Sequence, residues 1–393
     1  MTRDSCGLAP PQSAFRRIAA SRAVCRLLTT ALLAVCPVVA RAAVPATQPE
    51  RYTKDQIDQA IRRGVEFLVK AQQPDGSWGT GRETHGTEVY SMVPGSLASF
   101  RIGASALCVM ALREAGDVKA HDKGLAYLLK VPDARRDTGD LLYNTWAHIY
   151  LLQALAEELP HSSGPRLRDV ARREMKDLVR YATYVGGWNY YDFDAQTQHP
   201  SLEPTSFGTA AGIVALFEAK QAGLDIPEDL TRRSIRQLEE MRLPNGVYLY
   251  GGDYRYVPRL PANLPKGAVG RTQTANYALK LWGWDNLGKQ ELRDGLDLFV
   301  KDHIFLDMGR KRPIPHESWY QTAGYYYYFD HYYASRLFEF LDDADKAKYA
   351  PHILAGILPH QESDGSWWDF PMWDFHKPYG TAFAIMTLLR CEE

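Results

Sequence analysis

Two kinds of helical hydrophobic pattern alternate along the chain from about residue 53 onwards. In the first kind, apolar residues fall on one stripe and charged residues cover the opposite face, which is typical of a helix on the outside of a fold. Residues 53–56, TKDQ, have the form of a capping box that opens the earliest example. Apolar positions then recur at helical spacing, at Ile57, Ile61, Val65 and Leu68. The same pattern returns in residues 122–130, 166–184, 230–241, 289–302 and 344–358.

The second kind of pattern is apolar nearly all round. Each copy starts with a hydroxyl residue, usually followed by a small residue, with apolar residues four and seven positions after the hydroxyl. The copies are residues 105–112, 145–152, 209–216, 274–281, 322–329 and 381–388. Their starts are about 55 residues apart on average, the size of two helices with their loops. A helix with no polar face is expected to be buried on both sides.

These two patterns together predict an all-α fold, since strand patterns are nearly absent. Six hairpins of one outer and one inner helix fit a closed ring, because inner helices without a polar face must also meet one another across a centre. We therefore predict a single α/α toroid over residues 53–393, with inner and outer helix rings. The alternative is an open superhelical stack, in which each helix pair buries only one face.

The N-terminal residues 1–42 predict a secretory signal peptide. A basic region precedes the apolar run 27–40, and Ala40-Arg41-Ala42 has the form of a cleavage site. Pro37 breaks that run, and it is shorter than the roughly 20 residues of a membrane-spanning helix. Residues 43–52 are expected to be a polar linker. The sequence thus predicts an exported protein, periplasmic or extracellular, with no transmembrane segment in the mature chain.

Composition and cysteine content narrow the classes of partner. The chain has 393 residues, 45% of them hydrophobic, and a net charge of −1, which gives no electrostatic reason to expect nucleic acid. Of five cysteines, Cys108 and Cys391 remain after signal removal. Buried free thiols are the ordinary expectation for both, and a disulfide between the first and last repeats is the alternative.

One stretch, RRGVEFLVKAQQPDGSWG at residues 62–79, carries a recognisable motif. It fits the pattern basic-Gly-x-x-aromatic-Leu-x-x-x-Gln-x-x-x-Gly-x-Trp at Arg63, Gly64, Phe67, Leu68, Gln72, Gly76 and Trp78. Its second half returns at Gln361, Gly365 and Trp367, and its first half at residues 123–128. Residues 186–188 and 244–246 are eroded versions. The chain resembles the prenyltransferase and squalene-hopene cyclase repeat superfamily, whose QW motif this is, over most of its mature length.

The resemblance implies a terpenoid cyclase/protein prenyltransferase-like α/α toroid, in which these motifs brace the outer helices and are not catalytic. It does not carry over a reaction. The class II cyclases of the family protonate their substrate from an Asp-x-Asp-Asp run, whereas this chain has only Asp192-Phe193-Asp194 followed by Ala195. The Asp, Cys and His zinc ligands of protein prenyltransferases and the thioester motif of other toroids are missing as well.

The loops that lead into the inner helices are where we expect a site, because helix N-termini and the mouth of the cavity lie at that end. Carboxylates that could act as acid or base are Asp192, Asp194, Glu317 and Asp374. Side chains that could bind a ligand are Trp188, Tyr190, Tyr191, His199, Arg271, His316, Trp319, Tyr320, Trp373, His376 and Tyr379. The four tyrosines 325–328 point all round a helix and cannot line one cavity together.

Three functions remain open on the sequence alone. The first is a cyclase-like toroid that binds an apolar or isoprenoid-type molecule in an aromatic-lined central cavity. The second is a secreted carbohydrate-active enzyme on an α/α barrel, with aromatic residues stacking on a glycan and paired carboxylates acting on it. The third is a non-catalytic scaffold of the cell envelope. No cofactor is expected, and no metal either, because no tight ligand spacing unites His85, His199, His316 and His376.

Overall fold

The computed structural model describes residues 51–86, 94–136, 143–162, 164–201 and 203–392, with the single residues 49 and 139. The predicted signal peptide lies outside this part of the chain, as does most of the linker. The α-helices are α1 (Lys54–Ala71), α2 (Pro94–Glu114), α3 (Val118–Leu128), α4 (Thr145–Glu158), α5 (Pro165–Tyr181), α6 (Ser206–Gln221), α7 (Glu228–Met241), α8 (Pro265–Ala268), α9 (Thr272–Leu281), α10 (Lys289–Asp302), α11 (Ile304–Gly309), α12 (Tyr327–Arg336), α13 (Asp343–Ile357) and α14 (His376–Glu392). Short 3₁₀ turns lie in the later loops, and the described residues contain isolated β-bridges in place of strands.

The inner ring consists of α2, α4, α6, α9, α12 and α14, each in contact with the next. The ring is closed, because α14 also packs on α2. On its outside, α3 covers α2, α5 covers α4, α7 covers α6, α10 covers α9 and α13 covers α12, while α1 covers α14. The predicted all-α toroid of six hairpins is therefore confirmed. The open superhelix is wrong, since it would leave the first and last inner helices apart.

Three inner helices begin five or more residues from the hydroxyl residue that the pattern predicts as their start. Helix α14 begins at His376, before Thr381. Helix α2 begins at Pro94, well before Ser105, because its first turns are already buried. Helix α12 begins at Tyr327, after Thr322, with a 3₁₀ turn at Gly324–Tyr326 between them. The recurrent hydroxyl residue therefore marks something other than the start of a helix.

In three of the six repeats, the hydroxyl marks the docking point of a buried tryptophan. The backbone N–H of Trp78 donates to Ser105 Oγ at 2.9 Å, and that of Trp367 donates to Thr381 Oγ1 at 3.0 Å. The equivalent bond of Trp188 goes to Thr209 Oγ1 at 3.2 Å. Each indole also donates to the carbonyl ten residues earlier, at 2.8 to 2.9 Å, on the outer helix that the tryptophan follows: Leu68, Leu178 and Ile357.

The two motif glutamines join neighbouring outer helices. Gln72 Nε2 donates to the carbonyl of Ala120 in α3 at 2.9 Å, and Gln361 Nε2 donates to Ala60 in α1 at the same distance. Each amide also donates to the carbonyl four residues on, which closes its own turn. The motif thus braces the outer helices, as the family resemblance implies.

Helix α2 also holds the stretch Gly95–Glu114, which by length and composition could cross a membrane, although 83% of its most apolar window is buried inside the fold. It is the only such helix among the described residues. Cys108 lies in this helix and Cys391 in α14, and both are buried free thiols. Their pairing in a disulfide is not seen.

Candidate functional site

A cavity lies between the inner helices. Its volume is about 130 Å³. Aromatic side chains and small or apolar residues form its wall: Ser99, Phe100, Gly103, Ala104, Leu107, Tyr143, Trp146, Tyr150, Tyr190, Phe207, Tyr325, Tyr326, Phe329, Phe370, Met372, Tyr379 and Phe383. The rim comes from the first turns of inner helices and the loops before them, so the cavity is at the predicted end.

The aromatic rings of the wall pack edge to face and in stacks, which fixes the shape of the cavity. Trp146 stacks between Tyr150 and Phe207, with ring centroids 5.7 and 5.8 Å apart. Phe207 in turn meets Tyr326 edge-on at 5.0 Å. Such a wall is complementary to a flat or chain-like apolar molecule, because it offers ring faces and few hydrogen-bond groups.

The tyrosine run 325–328 divides as helical geometry requires. Tyr325 and Tyr326 line the cavity. Tyr327 points outward, where its hydroxyl lies 2.8 Å from the carbonyl oxygen of Gly356 and 3.1 Å from Asp307 Oδ1, so that its one proton has two acceptors. Tyr328 is fully buried away from the wall.

One buried carboxyl group stands directly behind the cavity wall. Tyr379, which lines the cavity, donates its hydroxyl to Asp369 Oδ1 at 2.5 Å, and the backbone N–H of Tyr328 donates to Asp369 Oδ2 at 3.1 Å. Asp369 is completely buried. Burial raises the pKa of Asp369 to about 7, although the hydrogen bond from Tyr379 acts in the opposite direction. The pair therefore holds an exchangeable proton at neutral pH, one hydroxyl away from the cavity.

A second titratable group touches the wall through Tyr325. The Nδ1 atom of His316 lies 2.6 Å from the carbonyl oxygen of Gln321, which can only accept, so Nδ1 carries the proton. The Nε2 atom is then an acceptor, 3.2 Å from the hydroxyls of both Tyr250 and Tyr325. Burial lowers the pKa of His316, which keeps the ring neutral and able to accept.

The four carboxylates singled out in the sequence do not line the cavity. Asp192 is buried and forms a two-pronged ion pair with Arg136, with bonds of 3.0 and 2.5 Å. Asp194 accepts from Ser201 Oγ at 3.4 Å, and Glu317 is exposed. Asp374 accepts from Thr80 and Gly81, so it ties the last loop to the first. The structure places these four acids in three loops, since Asp192 and Asp194 share one.

The predicted binding residues fall into three groups. Tyr190 and Tyr379 are in the cavity wall, and Tyr191 lies just behind it, 3.0 Å from the Tyr143 hydroxyl. The second group is buried and held by hydrogen bonds: Trp188 by Thr209 and Leu178, Arg271 by the carbonyls of Gly267, Tyr248 and Ala262, and His316 by Gln321.

The third group lies outside the cavity wall. Trp319 is 74% exposed, and His199 is exposed beside Tyr184. Tyr320 packs against Phe305, with Lys266 over its ring. Trp373 stacks on Phe100, and His376 is buried against Trp368, where burial lowers the pKa of His376 to about 4.

The sequence pointed to the loops and missed most of the wall, which comes from the inner helices. These helices are apolar nearly all round, so no periodicity separates the side that faces the cavity from the side that packs against other helices. The wall residues concerned are Phe100, Trp146, Tyr150, Phe329 and Phe383. One usable signal was present. An aromatic residue stands at or just before the predicted start of four inner helices, and three of the four (Tyr143, Phe207 and Tyr379) line the cavity.

The opposite end of the inner ring is charged. At the C-terminal ends of α2, α4 and α6 lie Glu114, Glu157 and Glu218, and Arg390 pairs with Glu114 at 2.7 and 2.9 Å. Arg336 lies 3.5 Å from Glu218. We call these five residues the basal cluster. Burial and the neighbouring carboxylates raise the pKa of Glu157 to about 8, and burial raises that of Glu218 to about 7.

No family model matches the chain. Among solved structures, the chain is similar to the type II terpene cyclase MstE from Scytonema, with a TM-score of 0.53 and 15% identity over 87% of this chain and 99% of that one. It is similar to the α-1,6-mannanase GH76A of Salegentibacter sp. HEL1_6, with a TM-score of 0.55 and 13% identity over 86% and 98%. A possible GH105 member from Klebsiella pneumoniae gives 0.52 and 14% over 89% and 96%.

At these identities the similarity establishes the fold alone. The same α/α toroid carries terpene cyclisation in one of these proteins and glycoside hydrolysis in another. Function must therefore be argued from the cavity. The chain is an α/α toroid of the architecture that type II terpene cyclases and GH76 and GH105 proteins share.

Proposed function

We propose that the protein binds an apolar, isoprenoid-type molecule in the aromatic cavity between its inner helices. The observation that carries the proposal is the wall itself. Among the described residues that line the cavity, none has a carboxylate, and aromatic rings provide most of the surface. Burial of a prenyl chain against such a wall gains roughly 25 cal/mol per Å² of apolar surface removed from water. Aromatic faces also stabilise carbocations.

The arrangement of acids favours this function over glycan hydrolysis. A glycosidase needs two carboxyl groups about 5–10 Å apart across the scissile bond. Here the acid next to the wall is Asp369, shielded by Tyr379. Asp192 and Asp374 are engaged with Arg136 and with the first loop. The solved structures lend support to either ligand, since MstE binds geranylgeranyl dihydroxybenzoate and GH76A binds α-1,6-mannotetraose.

We extend the proposal to a chemical step, in which the Tyr379–Asp369 pair donates a proton to the bound molecule. Acid-initiated reactions of isoprenoids need a protonated group beside an apolar pocket, and a carboxyl whose pKa is raised by burial meets that need. This pair takes the role that the sequence had assigned to Asp192 or Asp194. Export through residues 1–42 remains part of the proposal.

The test is to bind a prenyl alcohol such as geranylgeraniol to the purified protein. Trp146 is in the wall, so binding is expected to change tryptophan fluorescence. Ala104→Leu places a larger side chain in the cavity and should weaken binding at least tenfold. Ala98→Leu is the control, because Ala98 lies on the same helix and is exposed.

Native mass spectrometry before and after organic extraction identifies what the purified protein carries. A lipid-sized mass that is lost on extraction, and is absent from the Ala104→Leu variant, supports the proposal. Binding of an α-mannoside with no binding of geranylgeraniol would contradict it. Equal binding by Ala104→Leu and the wild type would also contradict it, since the ligand would then lie outside the cavity.

A further inference from the structure

A second cluster of polar side chains is buried between α4, α5 and the loop that follows α3. His148 of α4 is 1% exposed, and its Nδ1 atom lies 2.7 Å from Glu174 Oε2 of α5. A carboxylate can only accept, so Nδ1 carries a proton, and in the neutral imidazole Nε2 presents a lone pair. This carboxylate–histidine pairing is the arrangement that orients metal-binding histidines in proteins.

Two more carboxylates lie beside that imidazole. One nitrogen of His148 and one oxygen each of Asp133 and Asp177 lie within 4.8 Å of one another. Asp177 is 4% exposed. Within the described part of the chain, Asp133 Oδ1 and Asp177 Oδ2 are buried without a hydrogen-bond partner. Buried oxygens of this kind are costly unless something else satisfies them.

A buried amide stands beside these three. The Nδ2 atom of Asn144 is 3.5 Å from His148 Nε2 and donates to the carbonyl of Ala134 at 2.9 Å. Its Oδ1 atom is buried without a hydrogen-bond partner among the described residues.

We propose that His148 Nε2, Asp133 and Asp177 bind a first-row divalent cation such as Zn²⁺ or Mn²⁺. One imidazole with carboxylate oxygens is a mixed N/O donor set that suits these ions. Access is possible from the Asp133 side, whose side chain is 22% exposed. Local spacing along the chain does not reveal this site, because its ligands come from three separate segments.

The charges around the site are consistent with a cation. Glu174, Asp177 and Asp133 bring three negative charges, and Arg173 and Arg135 bring two positive charges to their outer oxygens.

The site has a consequence for the aromatic cavity. The loop that contributes Asp133 also contributes Arg136, which binds Asp192 and the carbonyls of Phe193, Asp194 and Thr197. That next loop contributes Tyr190 to the cavity wall. A cation at Asp133 would thus hold the loop that anchors one side of the cavity, which makes it a structural ion and leaves the function of the cavity independent of it.

The test is metal binding by the whole protein after treatment with EDTA. Titration calorimetry with Zn²⁺, and separately with Mn²⁺, should show one equivalent bound, and the bound ion should raise Tm. Asp133→Asn and Asp177→Asn should each abolish binding. Glu174→Gln should weaken it about 10–100-fold, as is usual for a partner of a ligating histidine. EDTA should lower the Tm of the wild type and leave that of Asp133→Asn unchanged.

His121→Gln is the matched control. His121 is also buried beside a carboxylate, Glu158, but it belongs to no group of three possible metal ligands among the described residues. This variant should bind the ion as the wild type does. Absence of binding by the wild type at millimolar Zn²⁺ and Mn²⁺ would overturn the proposal. Binding that persists in both Asp133→Asn and Asp177→Asn would overturn it too.

Discussion

At the scale of single residues, Asp369 connects the fold to the proposed chemistry. Its pKa in the folded protein, about 7, lies well above the 3.8 of an unperturbed aspartate. Between about pH 4 and pH 7, Asp369 therefore keeps its proton in the folded state and has lost it in the unfolded state. The stability that this group contributes is fully present below about pH 4 and is lost as the pH rises through 7.

Asp369→Asn should remove that part of the pH dependence. An amide cannot ionise, so the free energy of unfolding of the variant should decline less between pH 5 and 8 than that of the wild type, by on the order of 3 kcal/mol at most. Urea unfolding at a series of pH values measures the difference. Tyr379→Phe is the control. It keeps the carboxyl group and removes a hydrogen bond that lowers its pKa, so the pH dependence should be at least as steep as in the wild type. Parallel curves for Asp369→Asn and the wild type would show that Asp369 is ionised in both states.

The sequence could name loops that hold candidate residues but could not pair them. Asp192 looked like a catalytic acid because it stands in a remnant of an aspartate motif, yet its carboxylate meets Arg136, 56 residues away. Asp369 was one of several acids in its loop, and its burial behind Tyr379 distinguishes it. Burial and long-range pairing decide which carboxyl groups titrate near neutrality, and neither is visible in local spacing.

At the scale of elements, the docking of tryptophan on glycine sets the distance between helices. A side chain added at Gly124 of α3 would place its Cβ 2.8 Å from Trp78 Cζ3 and 2.7 Å from Val109 Cγ2. Trp78 is completely buried and its indole is already held by Leu68. The tryptophan therefore has no room to move away.

Gly124→Ala should destabilise the protein by about 1–3 kcal/mol, the usual result of overpacking a core. Gly103→Ala is the matched control within a helix. The nearest atom to its new Cβ would be 3.7 Å away, an ordinary contact, and alanine favours a helix by about 1 kcal/mol over glycine. Thermal unfolding should therefore show a lower Tm for the first variant and an unchanged or higher Tm for the second. The reverse order would contradict the docking argument.

The elements themselves were predictable because each helix has one of two burial patterns. A striped helix must lie outside and an apolar one inside, so the chain order alone gave the two rings. The exact starts of α2, α12 and α14 were not predictable. Ser105, one of the hydroxyl residues taken as helix starts, instead accepts a hydrogen bond from the backbone N–H of a tryptophan. That contact joins two segments, so the pattern of either segment alone does not show it.

At the scale of the whole molecule, the two ends of the inner ring differ in chemistry. One end holds the aromatic cavity, and the other holds the basal cluster of Glu114, Glu157, Glu218, Arg336 and Arg390. Carboxylates at helix C-termini are unfavourable, because the helix dipole is negative there. The arginines offset part of this cost, and protonation offsets more of it.

The basal cluster should therefore make the protein less stable as the pH rises from 5 to 9. The pKa values of about 8 for Glu157 and about 7 for Glu218 lie above 4.5, the usual value for a glutamate, so the folded state takes up protons across this range. Glu218→Gln removes one of these groups and the charge that helps to raise the pKa of Glu157. Between pH 5 and pH 9, the free energy of unfolding of the variant should fall by about 2 kcal/mol less than that of the wild type.

Glu317→Gln is the matched control for Glu218→Gln, because it makes the same change at an exposed residue and should follow the wild type at every pH. The measurement is the free energy of unfolding in urea at pH 5, 7 and 9, monitored by the circular dichroism of the helices. If the free energy of unfolding of Glu218→Gln falls with pH as steeply as that of Glu317→Gln, the carboxylates at this end are solvated and ionised over the whole pH range. If the free energy of unfolding of Glu218→Gln alone depends less on pH, the carboxyl groups at the end opposite the cavity stay protonated because the inner ring buries them. Closure of the toroid would then determine the charge at this end, just as it determines the shape of the cavity at the other.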